Sequence, residues 1–197
     1  MKRSDSDRGQ ADTLRDALRA QTRESHHRVD KLIGALDLTS LEGMSDFLAT
    51  NYLAYSSVKE RLKPYEGFTL PLLPLDEIEA DLGVLGRTVP RWRVPPFGEA
   101  MHPVGMIYVL AGSRLGATVL RQKWEQGECG QVRQAGRFLD SLADRTCWTG
   151  FLRQVAAAQI GDMERIDIVD SANACFAIFE AAYLEVTRET ANGPIQS

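Results

Sequence analysis

The chain has 197 residues, 44% hydrophobic and 25% charged, close to the averages for globular proteins. That length suits one domain with a buried core, and that composition excludes a disordered chain, a collagen-like repeat or a coiled-coil rod. The net charge of -4 argues against a dedicated nucleic-acid binder. Candidate metal ligands other than carboxylates are few: His26, His27 and His102, with Cys129, Cys147 and Cys175.

Residues 1–10 are polar and read as a disordered tail without signal-peptide features. The folded domain is expected over 11–189, with a C-terminal tail over 190–197. The first helix carries Leu14, Ala17, Leu18, Val29, Ile33 and Leu36 at three- and four-residue steps, with Asp12 or Thr13 as its cap. Ser40 is placed to cap a second helix with Leu41, Met44, Phe47, Leu48, Tyr52, Tyr55, Val58 and Leu62 on one stripe, ended by Pro64. Residues 64–75 read as a loop and about 75–86 as a short helix. The segment 87–98, with three prolines and Arg91-Trp92-Arg93, reads as irregular connection. A long helix is predicted from Pro103 to Glu125, and further helices over about 131–144, 147–158 and 162–189. Strand-like alternation is almost absent. The expected fold is all-α, a single-domain helical bundle of six to eight helices.

The most apolar run, Met106 to Leu110, is far short of the ~20 residues of a membrane span. No membrane partner is therefore expected. The cysteines are 18 and 28 residues apart and match no zinc or redox spacing. Their odd number points to reduced thiols in a cytoplasm, with Cys175 a small buried hydrophobe.

On a helical wheel with Leu18 at zero, His26 falls at about 80°, on the flank of the apolar stripe, and His27 at about 180°, on the polar face. By spacing alone His26 is a boundary residue. Asp30, one turn on, is placed to accept from the second imidazole nitrogen, as a carboxylate behind a ligating histidine does. The pairs Glu24-x-x-His27 and Glu99-x-x-His102 invite a di-iron carboxylate reading. The wheel opposes it: Glu24 and His27 both point away from the apolar stripe, and His102 precedes Pro103.

The long helix carries Gly112 and Gly116 four residues apart on one face, each costing about 1 kcal/mol relative to alanine. Two compensations are open: a close helix–helix crossing, or close approach of a flat ligand to bare backbone. A kink is a further use.

Together, Thr22-Arg23-Glu24-Ser25-His26-His27-Arg28-Val29-Asp30 and Gly112-Ser113-Arg114-Leu115-Gly116-Ala117 resemble the heme oxygenase family, particularly its bacterial biliverdin-producing branch. The resemblance implies heme between a proximal and a distal helix, acting as cofactor and substrate. It implies His26 as iron ligand and Asp30 as the residue orienting it. Gly112 and Gly116 become the distal backbone against heme, and Arg19 and Tyr108 contacts to its propionates. Ser113 stands where animal members carry a catalytic aspartate, and Ala111 where some bacterial relatives carry glutamate. The implied reaction uses O2 and electrons from an external reductase or ferredoxin, and gives biliverdin, carbon monoxide and ferrous iron. A bilin-binding photoreceptor receiving the product, or iron recovery, is the implied role. The chain carries no dinucleotide fingerprint of its own. The Ser113 and Ala111 departures keep a non-catalytic heme-binding or heme-sensing protein as the alternative.

Overall fold

The computed structural model describes residues 14–91, 101–144 and 146–192. The expected tail at residues 1–10, Glu99 and most of the Arg91-Trp92-Arg93 loop lie outside them. The helices are α1 (14–21), α2 (Arg23–Gly34), α3 (Leu41–Lys59), α4 (Leu75–Val84), α5 (Pro103–Ser113), α6 (Ala117–Glu125), α7 (Gly130–Gln134), α8 (Arg137–Ser141), α9 (Thr146–Ala157) and α10 (Asp162–Asn192). Among the described residues there is no strand, and the one β-bridge pairs Tyr65 with Phe68.

Three of the helices expected as continuous each divide in two. The first bends at Thr22, whose hydroxyl donates to the Leu18 carbonyl at 2.6 Å. A buried threonine bonding back one turn competes with the backbone and bends a helix. The 131–144 segment breaks at Ala135-Gly136, where the Trp124 ring lies so close that a β-carbon on Gly136 would stand 2.7 Å from it. The long helix from Pro103 breaks at residues 114–116. By contrast the second helix starts as expected: Ser40 Oγ accepts from Gly43 N at 3.0 Å. It ends at Lys59, several residues short of Pro64, and the last helix runs past residue 189 to Asn192.

The 31 residues of α10 span about 46 Å and pack against α2, α3 and α5. Met44, Phe47, Leu48, Ala54 and Val58 of α3 and Ile168, Ala172 and Ile178 of α10 form the centre of the core. Helices α4, α7 and α8 cover the far side of α3, and α9 lies on α5. The span Pro103–Glu125 has the length and hydropathy of a membrane-crossing helix, but half of that window is buried inside the protein. Its apolar side chains Val104, Met106, Ile107 and Leu110 are core.

His102 caps α5. Its backbone is extended, as a residue before proline should be. Nδ1 accepts from Val104 N at 3.3 Å, Nε2 faces Glu164 at 3.3 Å, and its own N–H donates to Ser171 Oγ at 2.6 Å. Tyr65 donates to the same Glu164 carboxylate, which holds the phenol up at about 12. His102 thus locks the start of α5 onto α10. Cys175 is buried, with its thiol pushed up to about 12 by burial, and all three cysteines are free.

Asp81 is fully buried on α4 and accepts from Arg137 N at 3.2 Å and Phe138 N at 2.9 Å, capping α8 from outside. Asp81→Ala strands the buried Phe138 amide and the part-buried Arg137 amide and is expected to cost about 2–3 kcal/mol in urea unfolding. Asp81→Asn keeps one acceptor and should cost less. Burial raises the Asp81 pKa above 3.8, against the two amides that lower it. Its titration therefore favours the fold below the ordinary carboxylate range, and that share is lost as pH rises through the raised value. The asparagine variant should lack this pH dependence.

Candidate functional site

Helix α2 is strongly amphipathic, yet none of its residues is buried. Polar contacts hold it on α10: Ser25 Oγ donates to Asn173 Oδ1 at 2.7 Å, Asn173 Nδ2 donates to Gln21 O at 3.3 Å, and Arg28 pairs with Glu180 at 3.4 Å. Its apolar residues Val29 and Ile33 are left half-covered. His26 projects from this helix with 57% of its side chain exposed, and its ring meets the edge of Phe176 on α10, centroids 5.5 Å apart. Asp30 stands one turn on, its Oδ2 3.5 Å from His26 Nε2, beyond a good hydrogen bond. The nitrogen nearer the carboxylate is thus Nε2, and Nδ1 is turned from it. His27 is exposed, as the wheel requires. Arg23, Glu24, His26, His27 and Asp30 line an open depression of about 430 Å³.

Two aromatic contacts lie on the α10 face beyond His26, His26 with Phe176 and Phe179 with Tyr55. Phe176 and Phe179 are three residues apart on α10 and so neighbours on one face. Phe179 meets Tyr55 of α3 edge-on at 5.7 Å. The buried Tyr55 phenol is hydrogen-bonded to Ser113 at the end of α5. Burial raises its pKa, against Ser113 and Arg114, which lower it. The Ser113 hydroxyl also donates to Leu110 O at 2.9 Å. Lys123 Nζ donates to Gly34 O at 3.1 Å, tying the C-terminal end of α6 to that of α2. Both helices run into this closed end, and His26 and Gly116 lie about 12 Å and 10 Å back from it at 1.5 Å per residue.

The structure decides what the glycines do not do. A β-carbon on Gly112 would meet only Trp148 Cζ3, at 3.6 Å, and one on Gly116 only the carbonyl of Ser113, at 3.7 Å. Among the described residues no backbone of another helix comes within 4 Å of either position, and only the Trp148 ring of α9 touches Gly112. The helix-crossing glycine is Gly105, where a β-carbon would collide with the Ile168 carbonyl and stand 2.8 Å from Ala172 N. Gly112, Leu115, Gly116 and Val119 follow a helical face, and Leu115 and Val119 are exposed. Tyr108 is half-buried between Trp148 and Phe151, at 5.8 and 5.9 Å. Arg19 is exposed and forms no ion pair with any described residue. Sequence reading missed Tyr55, Phe176, Phe179 and Trp148 as members of this region. The available signal was a phenol on the buried stripe of α3, which needs a polar partner.

A di-iron centre finds no support. Among the described residues no group of three His, Cys, Asp or Glu side chains is placed to hold a metal ion. Glu24 is exposed and pairs with Arg28, while His102 serves as a helix cap.

No known family's sequence profile matches the chain, and no curated protein does. Among solved structures it is similar to the heme oxygenase of Neisseria meningitidis, determined with NO and CO bound. The two share 18% identity with a TM-score of 0.64, over 93% of this chain and 98% of that one. The chain has the heme oxygenase fold. The all-helical architecture agrees with that fold over the matched 93% of the chain. Within the heme oxygenase fold of this chain, His26 stands on α2 beside Phe176, and Gly112 and the exposed Gly116 stand on α5–α6. An aromatic floor from α10 and α3 joins them.

Proposed function

We propose that the chain binds heme between α2 and the α5–α6 wall and cleaves it to biliverdin, carbon monoxide and ferrous iron, using O2 and electrons from a separate reductase or ferredoxin. The observation that carries this reading is the pair of uncovered surfaces, α2 with no buried residue and bare glycines on α5–α6, joined by Phe176, Phe179 and Tyr55. The donor set suits a ligand that brings four equatorial nitrogens and needs one more. His26 would offer iron an imidazole nitrogen, and Asp30 would orient the ring. Bound heme supplies the iron at which O2 is reduced and the ring that is opened.

The chain's own residues then act by placement. Gly112 and Gly116 put no side-chain acid over the ligand and leave room for ordered water. Ser113 has its proton committed to Leu110 O, so the Tyr55–Ser113 pair can anchor water without itself acting as a strong acid. Arg19, an exposed cation on the helix before His26, and Tyr108 would hold the propionates. The free thiols support a reducing, cytoplasmic setting. A bilin-binding photoreceptor is the partner this product would serve.

Heme titration tests the binding step. The wild type is expected to give a histidine-ligated Soret spectrum, and His26→Ala to lose that ligation and at least about 100-fold in affinity, the upper end for losing even a supporting residue. Unchanged ligation in His26→Ala would overturn the assignment. Turnover with ascorbate, then with a ferredoxin and its reductase, tests the chemistry through bilin absorption and carbon monoxide release. The committed Ser113 proton favours a second reading, heme binding without cleavage. Neither product under either donor would select it.

A further inference from the structure

Helix α5 ends at Ser113 and α6 begins at Ala117. Between them the chain makes a tight turn, with Leu115 N donating to Gly112 O at 3.0 Å, Gly116 N to Ser113 O at 3.2 Å and Ala117 N to Arg114 O at 3.4 Å. Such i to i+3 bonds have poorer geometry than helical ones and mark places that flex unless held. No proline enforces this turn. Arg114 at its centre points inward and is only 5% exposed.

Its guanidinium bridges two carbonyls from separate parts of the fold. Nη1 donates to Ser141 O at 2.8 Å, at the end of α8, and Nη2 to Leu72 O at 2.9 Å, in the connection before α4. Neither contact is an ion pair, and the buried Nε has no hydrogen-bond partner. A cation is costly to bury on these terms, and a planar fork is what lets one side chain grip two carbonyls at once. The charge also reaches Tyr55, Cys147 and Asp144, lowering each pKa as a secondary influence.

We propose that Arg114 is the positioning residue of the α5–α6 wall, a buried clasp that holds the turn and so fixes where Gly112 and Gly116 stand. Straightening or sliding the turn requires both carbonyl bonds to break. Neighbouring Ser113 is held in the same motion, and with it the bond to Tyr55. The clasp stands on the apo geometry, while its consequence for a ligand rests on the heme reading above.

Amide hydrogen exchange on the full-length heme-free protein tests the clasp. Arg114→Met removes both bonds and keeps most of the stem. It is expected to speed exchange over Leu115–Leu120 by about tenfold or more relative to α2, α3 and α10, as loss of a local restraint should. Arg114→Lys has one ammonium and a shorter reach, so a smaller rise confined to the same residues is expected. If the methionine variant does not fold, the lysine variant decides on the same reading. A uniform rise in all helices, or no local rise, overturns the proposal. On heme-loaded protein, carbon monoxide is added as a probe without turnover. Arg114→Met should shift or broaden its stretching band while heme uptake stays within about threefold of wild type, under 1 kcal/mol. An unchanged band with a raised local exchange rate overturns the positioning role. If wild type takes up no heme while the local exchange responds, the clasp stands and the heme reading fails.

Discussion

Gly105→Ala is expected to destabilise the protein by about 3 kcal/mol or more, at or above the upper range for overpacking a core. In a chain of this size that is a fall of roughly 10 °C in Tm, measured by circular dichroism. Helix propensity alone would reward alanine here by about 1 kcal/mol, so the sign of the result decides which effect wins. The steric side should win because the obstacle is backbone. A β-carbon at 105 would collide with the Ile168 carbonyl and lie 2.8 Å from Ala172 N, beside the 3.0 Å approach of Ser171 Cβ. No rotamer change relieves a carbonyl in the middle of a helix. Relief requires α5 to move away from α10, and Val104, Met106, Ile107 and Ile168 then lose close packing. A Tm within about 2 °C of wild type would show that α5 and α10 can part at little cost.

Gly116→Leu should give the opposite pattern. Gly116 has φ -79, an ordinary value for any residue, and a β-carbon there meets nothing nearer than 3.7 Å. Stability is expected to stay within about 1 kcal/mol of wild type, since leucine displaces no side chain and its lower chain entropy when unfolded offsets its being a poorer N-cap than glycine. Heme affinity is expected to fall by about 10- to 100-fold, the binding equivalent of forcing a side chain into a packed contact. Thermal unfolding without heme and a heme titration on the same sample separate the two effects. Undiminished heme affinity in a stable Gly116→Leu protein would place the ligand away from this wall. Gly105 and Gly116 lie on one apparent helix in the sequence. Their opposed responses are a direct test of the division between packing and open surface along it.

Much of this was legible in the residues. The apolar periodicity located the helical segments, though it read three divided ones as continuous, because burial on one stripe is a local property of the sequence. Ser40 marked the start of α3, since a cap is a contact between residues three apart. The wheel put His26 on the flank of the apolar stripe, and in the structure its ring touches Phe176 while remaining more than half exposed. The three breaks were not legible. The Thr22 back-bond depends on that residue being buried, the break at Gly136 on the Trp124 ring, and the turn at 114–116 on carbonyls of Leu72 and Ser141. Trp124, Leu72 and Ser141 are distant in sequence, and periodicity carries no information about them.

The same division holds for the candidate site. The sequence by itself determined an all-α chain, one imidazole on the flank of the first helix with a carboxylate one turn on, and two glycines on a face that had to be explained. It left open whether those glycines serve a helix crossing or open space, because that depends on what lies opposite them. Only the tertiary structure decided it, by laying the α10 backbone against Gly105 and, among the described residues, no helix backbone against Gly112 or Gly116. It also decided that Tyr55, a stripe residue in the sequence, reaches Ser113, and that Phe176 and Phe179 bring α2 and α3 onto one floor. Short-range spacing fixes which way a side chain leaves its helix. What it meets there is set by which helices cross, and that is fixed by the packing of the whole core.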